Sequence, residues 1–319
     1  MSCIFDALQR SETERSGIEL DACDLPAELL QMAESAVEPQ VAGKEPPSAA
    51  SESQIPVPET RDLAQDLING PSPAPWREFM SLPVSLLPYC KLVSVTDKES
   101  LAAEKFRFLA VRLRQIQQRR PVKILLVTST IPEEGKSMTA ANLACTLASR
   151  RQRVLLLEGD MRRPVMRGQF GLGRISGLAE YLQGTVNAVA PIYRLDSLGI
   201  WILAAGSAPR DPLELMQSGK LSLLMDQVKA WFDWIVIDSP PVLPLADTCV
   251  WARLVDGILL VTRQGTTDKE QLKRGLEMLE PSKLLGAVLN SSTNSAHSDY
   301  YQRYRGPAPS QAVLSTRQS

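Results

Sequence analysis

The stretch that decides the fold is Val127-Thr-Ser-Thr-Ile-Pro-Glu-Glu-Gly-Lys-Ser-Met138, which follows the short apolar run Ile124-Leu125-Leu126-Val127. A buried strand that breaks into a Gly-Lys-Ser turn and continues as an Ala-rich helix is typical of a phosphate-binding loop. Backbone N–H groups at the turn and at the helix N-terminus point at phosphate oxygens, and the helix dipole favours their negative charge. The segment therefore predicts a nucleoside triphosphate site.

Two residues of this loop have defined chemistry in such a site. Lys136 reaches the β- and γ-phosphates, and the Ser137 hydroxyl ligates Mg²⁺. The loop departs from the usual G-x-x-x-x-G-K-[ST] pattern, because Thr130 stands where the first glycine is expected. The nucleotide-binding residues predicted from the loop are Thr130, Glu133, Glu134, Gly135, Lys136, Ser137 and Met138.

Apolar segments and helical segments alternate beyond the loop. Strands are predicted at 122–128, 153–158, 199–204, 234–238, 256–263 and 284–290. Helices are predicted at 137–149, 176–183, 211–231, 245–253 and 267–280. Apolar strands without period-2 alternation, separated by helices, indicate an α/β fold with a mostly parallel sheet covered on both faces. An earlier helix, which ends before Pro121, is predicted to begin at a capping box over Thr96–Glu99.

Residues 1–90 differ from the rest in composition. Eleven of the 23 prolines fall here, and residues 1–80 carry 15 acidic and 5 basic side chains. Few apolar residues recur at a fixed period, so burial cannot offset the entropy of ordering this segment. We predict a disordered, acidic, Pro-rich region at 1–90 and an ordered domain from 91 onward. The remaining chain is basic, which suits nucleotides but equally an anionic membrane face or nucleic acid.

Composition also excludes several classes of protein. The five cysteines are scattered without a C-x-x-C pair, which favours buried thiols in a reducing cytosol. The only histidine, His297, lies in a polar tail, which argues against a histidine-based metal site or triad. No apolar run approaches the roughly 18–20 residues that cross a bilayer, and no secretory signal is evident at the N-terminus. The expected location is cytoplasmic.

Two later strands are predicted to deliver carboxylates to the loop. Glu158 and Asp160 follow the apolar run 154–157, and Asp238 ends the apolar run 234–237. Ligands of open parallel sheets bind at the carboxyl ends of strands. Two carboxylates beside the phosphate loop can face a Mg²⁺–nucleotide and an incoming hydroxyl, and Asp238 can hold the metal directly or through water. Lys136, Glu158, Asp160 and Asp238 are therefore the predicted catalytic residues, with Ser137, Asp160 and Asp238 at the metal.

These motifs resemble those of the bacterial tyrosine kinases, autokinases of capsule and exopolysaccharide synthesis within the P-loop group that includes MinD- and ParA-like ATPases. The similarity lies in hydrophobic-(Asp/Glu)-x-Asp-x-Arg at 158–162, in hydrophobic-Asp-x-x-Pro at 238–241, and in the helix segment Glu104–Leu109, and it covers roughly residues 91–305. Glu158 stands where the family usually has Asp, and Ala110 stands where its oligomerisation helix has a second Arg. The tyrosine cluster of the tail is short for the family.

The resemblance implies a role for each motif. A kinase domain at 91–295 would use ATP and Mg²⁺, with Ser137 and Asp238 holding the metal and Asp160 supporting it. Glu158 would orient or deprotonate the acceptor hydroxyl, and Asn290 would read the purine. A flexible tail at 296–319 would carry the phosphoacceptors Tyr300, Tyr301 and Tyr304.

The resemblance also implies partners. The activator would be a separate transmembrane chain of the polysaccharide co-polymerase type, which would keep the kinase peripheral at the inner face of the membrane. Self-assembly into a ring or dimer is expected, sugar-metabolism enzymes are possible substrates, and no nucleic acid is expected.

A regulatory ATPase of the MinD/ParA kind is the alternative. Such an ATPase explains every phosphate-site residue but leaves the tyrosine tail without a role. The loop also lacks the extra lysine near its start that marks those ATPases, since Ile131, Pro132 and Glu133 occupy that region. A tyrosine autokinase is the prediction that these features favour.

Overall fold

The computed structural model describes residues 79–87, 90–149, 151–186, 191–243 and 245–291. All of them belong to one unit within residues 71–319. The tail tyrosines Tyr300, Tyr301 and Tyr304 and the segment before residue 79 lie outside the described residues. Among the described residues, no helix is both long enough and apolar enough to cross a membrane.

The described chain alternates strands and helices as predicted. The strands are β1 (Ile124–Ser129), β2 (Val154–Glu158), β3 (Tyr193–Leu195), β4 (Ile200–Leu203), β5 (Trp234–Asp238), β6 (Gly257–Arg263) and β7 (Leu284–Asn290). The helices are α1 (Val93–Thr96), α2 (Leu101–Arg119), α3 (Lys136–Ala148), α4 (Met166–Gln169), α5 (Leu178–Gln183), α6 (Pro212–Met216), α7 (Lys220–Trp231), α8 (Asp247–Leu254) and α9 (Lys269–Glu277), with a 3₁₀ turn at Pro281–Lys283.

The seven strands form one sheet in the order β3-β4-β2-β5-β1-β6-β7. All neighbouring strands are parallel except β3, which runs antiparallel to β4 at one edge. Successive residues of β1 enter different cores: Ile124 and Leu126 pack in one hydrophobic cluster, whereas Leu125 and Val127 pack in the other. Helices therefore cover both faces of the sheet, and the predicted α/β class is confirmed.

Three local predictions differ from the structure. The predicted helix 211–231 is two helices, because Gly219 adopts φ +74° before α7 and interrupts the chain between α6 and α7. The short strand β3 was not predicted from the sequence. The expected capping box does not form: Ser100 caps α2 by accepting from the Ala103 N–H, because residues 93–96 make a helical turn of their own.

Residues 79–87 lie on the sheet, although the sequence places them in the N-terminal appendage. The Leu82 N–H donates to the Arg194 carbonyl and the Ser85 N–H donates to the Phe170 carbonyl, both at 2.9 Å. Four apolar side chains of the segment pack against the core: Phe79 against one cluster, and Leu82, Val84 and Leu86 against the other. The alternate spacing of the last three is typical of an extended segment lying on a core, a signal that the surrounding prolines mask in the sequence.

Candidate functional site

The loop after β1 and the carboxylates of β2 and β5 meet at one edge of the sheet. Strands β2, β5 and β1 are neighbours, and the register pairs Asp238 with both Glu158 and Val127. Because the three strands are parallel, their carboxyl ends emerge together. The sequence prediction that these groups converge is confirmed.

Gly135 gives the phosphate loop its close turn. This glycine has φ +91° and caps the N-terminus of α3. A Cβ at this position would lie 2.2 Å from the Asn290 side-chain nitrogen, so only glycine fits. Asn290 ends β7 and donates from Nδ2 to the Glu134 carbonyl at 2.9 Å, so the last strand ends beside the loop, as the sequence predicted.

Lys136 links two of the converging carboxylates. Its Nζ lies 2.9 Å from Asp160 Oδ2 and 3.7 Å from Asp238 Oδ1. Burial lowers the pKa of Lys136, but the negative charges of Asp238 and Asp160 outweigh burial and raise the pKa above its ordinary value. The ammonium group is therefore charged at neutral pH, and Lys136 is the first residue of α3.

Asp238 is fully buried, and its carboxylate has only weak polar contacts among the described residues: Lys136 Nζ lies 3.7 Å from Oδ1, and Ser137 is the other polar side chain close to it. Burial raises the pKa of this carboxyl, while the charge of Lys136 opposes the shift. A buried carboxylate with free lone pairs is a suitable ligand for a hard cation, and the Ser137 hydroxyl is 3.3 Å from Lys136 Nζ in the same region. These residues fit Mg²⁺, which proteins commonly hold through one or two carboxylates together with substrate phosphates.

Glu158 lies deeper than the other predicted catalytic residues and does not line the cleft. Its carboxylate is fully buried and accepts from the Val165 N–H at 2.5 Å, the Met166 N–H at 2.7 Å and the Ala205 N–H at 3.0 Å. Burial raises the pKa of Glu158, and these amides oppose the shift. The geometry is that of an anchor for the loop between β2 and α4, which carries Asp160.

A cleft of about 650 Å³ opens above these groups. Its walls come from the phosphate loop, from the segment after β2 and from the segment after β5: Pro132, Glu133, Gly135, Lys136, Ser137, Met138, Asp160, Arg162, Arg163, Val165, Gln169, Pro241 and Leu245. Of the remaining loop residues predicted to bind nucleotide, Thr130 and Glu134 are fully buried behind the cleft.

Asp247 also belongs to this region, although it was not among the site residues predicted from the sequence. Arg162 donates from Nε to Asp247 Oδ2 at 2.8 Å and from Nη2 to Oδ1 at 3.0 Å, which joins the loop after β2 to the start of α8. Asp247 is 1% exposed, so this bidentate pair is held firmly. An acidic residue at the start of a predicted helix was the available signal, but it is equally typical of a helix terminus.

Known proteins are similar to this chain in sequence. The tyrosine-protein kinase YwqD of Bacillus subtilis is 33% identical over 211 residues, which cover 66% of this chain and 89% of that protein. The tyrosine-protein kinase CpsD of Streptococcus agalactiae is 32% identical over 208 residues, 64% of this chain and 90% of that protein. The chain belongs to the bacterial tyrosine kinases.

Structural comparison agrees with this membership. The crystal structure of the chimerical protein CapA2B2 matches the kinase with a TM-score of 0.60 and 28% identity, over 67% of this chain and 95% of that one. No family model matches the chain. The predictions of fold, family and reaction are confirmed: this is a protein-tyrosine kinase of the bacterial family.

Proposed function

We propose that this kinase binds Mg²⁺-ATP in the cleft and transfers the γ-phosphate to tyrosines in the tail of a neighbouring copy. The observation that carries the proposal is the meeting of Lys136, Asp160 and Asp238 at the N-terminus of α3, with Lys136 Nζ 2.9 Å from Asp160 Oδ2. Phosphoryl transfer needs alignment and charge neutralisation more than covalent chemistry from the protein.

Each residue of the cleft then has one task. Lys136 binds the β- and γ-phosphates, and the backbone amides at the start of α3 bind the phosphate oxygens. Ser137 and Asp238 hold the metal and Asp160 supports it; when bound, the ion neutralises charge on the transferred phosphate. Because Glu158 lies behind the cleft wall, we assign it the task of positioning Asp160 through the loop that it anchors.

The position at which the tail begins is compatible with transfer between chains. Ser291 follows Asn290 at the edge of the cleft, and the first predicted acceptor, Tyr300, is ten residues beyond Asn290. An extended chain of that length spans at most roughly 35 Å, enough to reach an adjacent subunit of a ring or dimer. Tyr300, Tyr301 and Tyr304 are the proposed phosphoacceptors.

We further propose that the kinase regulates capsule or exopolysaccharide synthesis or export. A separate transmembrane activator of the co-polymerase type would hold it at the cytoplasmic face of the membrane, and sugar-metabolism enzymes would be additional substrates. These assignments rest on family membership.

A mixing experiment tests transfer between chains. A Lys136→Met protein lacks the phosphate-binding lysine, and a Tyr300→Phe/Tyr301→Phe/Tyr304→Phe protein lacks the acceptors. When both are combined with Mg²⁺-ATP and activator, we expect phosphotyrosine only in the tail of the Lys136→Met chain. Lys98→Met, which removes an exposed lysine far along the chain, is the matched control and should label itself normally.

Two results would count against the proposal. An unlabelled Lys136→Met chain beside a self-labelling wild type indicates transfer within one chain. ATP hydrolysis by wild type without any phosphotyrosine indicates a regulatory ATPase of the MinD/ParA kind.

A further inference from the structure

Glu134 joins the phosphate loop to the segment between β6 and α9. The carboxylate of this fully buried residue accepts from the Ile131 N–H at 2.8 Å through Oε2, which closes the loop upon itself. Its other oxygen, Oε1, accepts from the Arg263 N–H at 3.2 Å and from the Thr267 hydroxyl. One carboxylate therefore fixes the loop internally and ties it to a segment about 130 residues away in the chain.

A second contact joins α9 to the start of the same loop. Gly275 is buried in α9, and a Cβ placed there would lie 3.0 Å from Thr130 Cγ2 and 3.3 Å from Thr130 Oγ1. Thr130 stands where phosphate loops usually have their first glycine. A glycine at that position of the loop would leave space for the facing helix. In this chain the loop has Thr130 instead, and Gly275 of the facing helix α9 leaves the space.

The backbone of the loop needs this support. Glu133 has φ +68°, a conformation that a residue other than glycine adopts only when its surroundings hold it there. The Arg263 guanidinium donates to the Glu133 carbonyl at 3.5 Å, and Asn290 donates to the next carbonyl. The conformation of residues 130–135 therefore depends on groups outside the loop.

We propose that Arg263, Thr267 and Gly275, which we call the α9 brace, are positioning residues that hold the phosphate loop in its nucleotide-binding conformation. This inference rests on the proposed binding of Mg²⁺-ATP at the loop. None of the three residues lines the cleft, so the α9 brace acts on nucleotide through Glu134 and Thr130. Charge-assisted hydrogen bonds such as that from Thr267 to Glu134 are the stronger kind.

Thr267→Val tests the hydrogen-bonded half of the brace. The substitution keeps the shape of the side chain and removes the donor to Glu134, together with the long bond of 3.5 Å that the hydroxyl accepts from the Arg263 N–H. We expect the Kd for a fluorescent ATP analogue with Mg²⁺ to rise about tenfold, as for loss of one hydrogen bond to a charged group. The KM for ATP should rise with it, while kcat at saturating ATP changes little. Thr266→Val is the matched control. Thr266 is an exposed neighbour of Thr267, and its side chain makes no hydrogen bond to the loop among the described residues.

Gly275→Ala tests the packed half and separates it from general destabilisation. Alanine favours a helix interior over glycine, so α9 itself should not be weakened. The added methyl group would press on Thr130, and we expect weaker nucleotide binding without a lower melting temperature. Combining Gly275→Ala with Thr130→Gly removes the side chain that the methyl group meets, and should restore the wild-type Kd.

The outcomes separate this inference from the proposed function. If wild type binds Mg²⁺-nucleotide but Thr267→Val and Gly275→Ala bind it equally well, the α9 brace has no role in positioning. If Thr266→Val is as weak as Thr267→Val, or if Thr130→Gly does not rescue Gly275→Ala, the effect is not transmitted by these contacts and the inference fails. If wild type binds no nucleotide while its fold is intact, the proposed function itself is contradicted.

Discussion

Asp238 combines complete burial with a carboxylate that has only weak polar contacts among the described residues. Such a group is held in place for a ligand at a cost to the stability of the ligand-free fold. Glu158 does not carry this cost, because its carboxylate oxygens accept hydrogen bonds from three backbone amides. The two carboxylates, paired in register on adjacent strands, therefore have different tasks.

Asp238→Asn should abolish phosphotransfer and stabilise the nucleotide-free protein. Burial raises the pKa of Asp238 above its ordinary value of 3.8, so its contribution to stability is present below that pH and is lost as the pH rises through the raised pKa. The variant should therefore gain on wild type across that window and remain more stable than wild type at pH 7. Urea denaturation from pH 4 to pH 7 measures the difference.

The exposed carboxylate Asp226 provides the control for this pH dependence. Asp226→Asn should leave stability near that of wild type at every pH. An Asp238→Asn protein that is less stable than wild type at pH 7 would show that the ion pair with Lys136 outweighs the burial of the carboxylate.

Glu158→Asp restores the residue that the family usually has, yet we expect it to impair this kinase. The shorter side chain cannot reach the amides of Val165, Met166 and Ala205 together, so the loop that carries Asp160 should loosen. We predict a melting temperature lower by several degrees, faster proteolysis between β2 and α4, and lower autophosphorylation. A variant with unchanged melting temperature and faster autophosphorylation would instead identify residue 158 as the base that the family resemblance implies.

Among the elements, the extended segment 79–87 shows that the N-terminal appendage is not uniform. Its backbone bonds to Arg194 and Phe170, and its apolar side chains pack against both cores, Phe79 on one and the other three on the second. The domain boundary relevant to stability therefore lies before Phe79 rather than at residue 91, although residues before 79 retain the role in localisation or partner choice that we predict for the acidic region.

Two truncations test this boundary. Removal of residues 1–70 should leave stability and phosphotransfer unchanged, because an acidic, Pro-rich segment has few apolar side chains to bury. Removal of residues 1–91 should lower the free energy of unfolding by about 3 kcal/mol or more, since the apolar side chains of 79–87 and Cys90 leave the core with their backbone bonds. Equal denaturation midpoints for the two truncated proteins would show that the segment contributes no stability.

At the scale of the whole molecule, the tail is expected to control assembly. Each phosphotyrosine carries nearly two negative charges, so three of them on one tail would repel each other and the phosphorylated tails of neighbouring copies. We predict that phosphorylation converts the oligomer to smaller species, measured by light scattering before and after ATP. The triple Tyr→Phe protein should keep its oligomeric state with ATP, and dissociation of that protein would assign the effect to nucleotide turnover instead.

The parallel α/β sheet, the phosphate loop and the convergence of Lys136, Asp160 and Asp238 could all be predicted from the sequence. These features are local: each is a strand followed by its own loop, and parallel strands place such loops at one edge. The position of the last strand beside the loop could also be predicted, because β7 continues the alternation of apolar strands and helices. Family membership followed from the same short motifs, read together with their order along the chain.

The contacts that hold these residues in place depend on the tertiary structure. Glu158 bonds the Ala205 amide 47 residues away, Arg162 pairs with Asp247 85 residues away, and Glu134 meets Arg263 129 residues away. No periodicity or spacing encodes such pairs, because they depend on which loops the packed helices bring together. For the same reason the sequence shows Thr130 only as a departure from the usual phosphate-loop pattern. In the fold, Gly275 leaves the space that the Thr130 side chain fills.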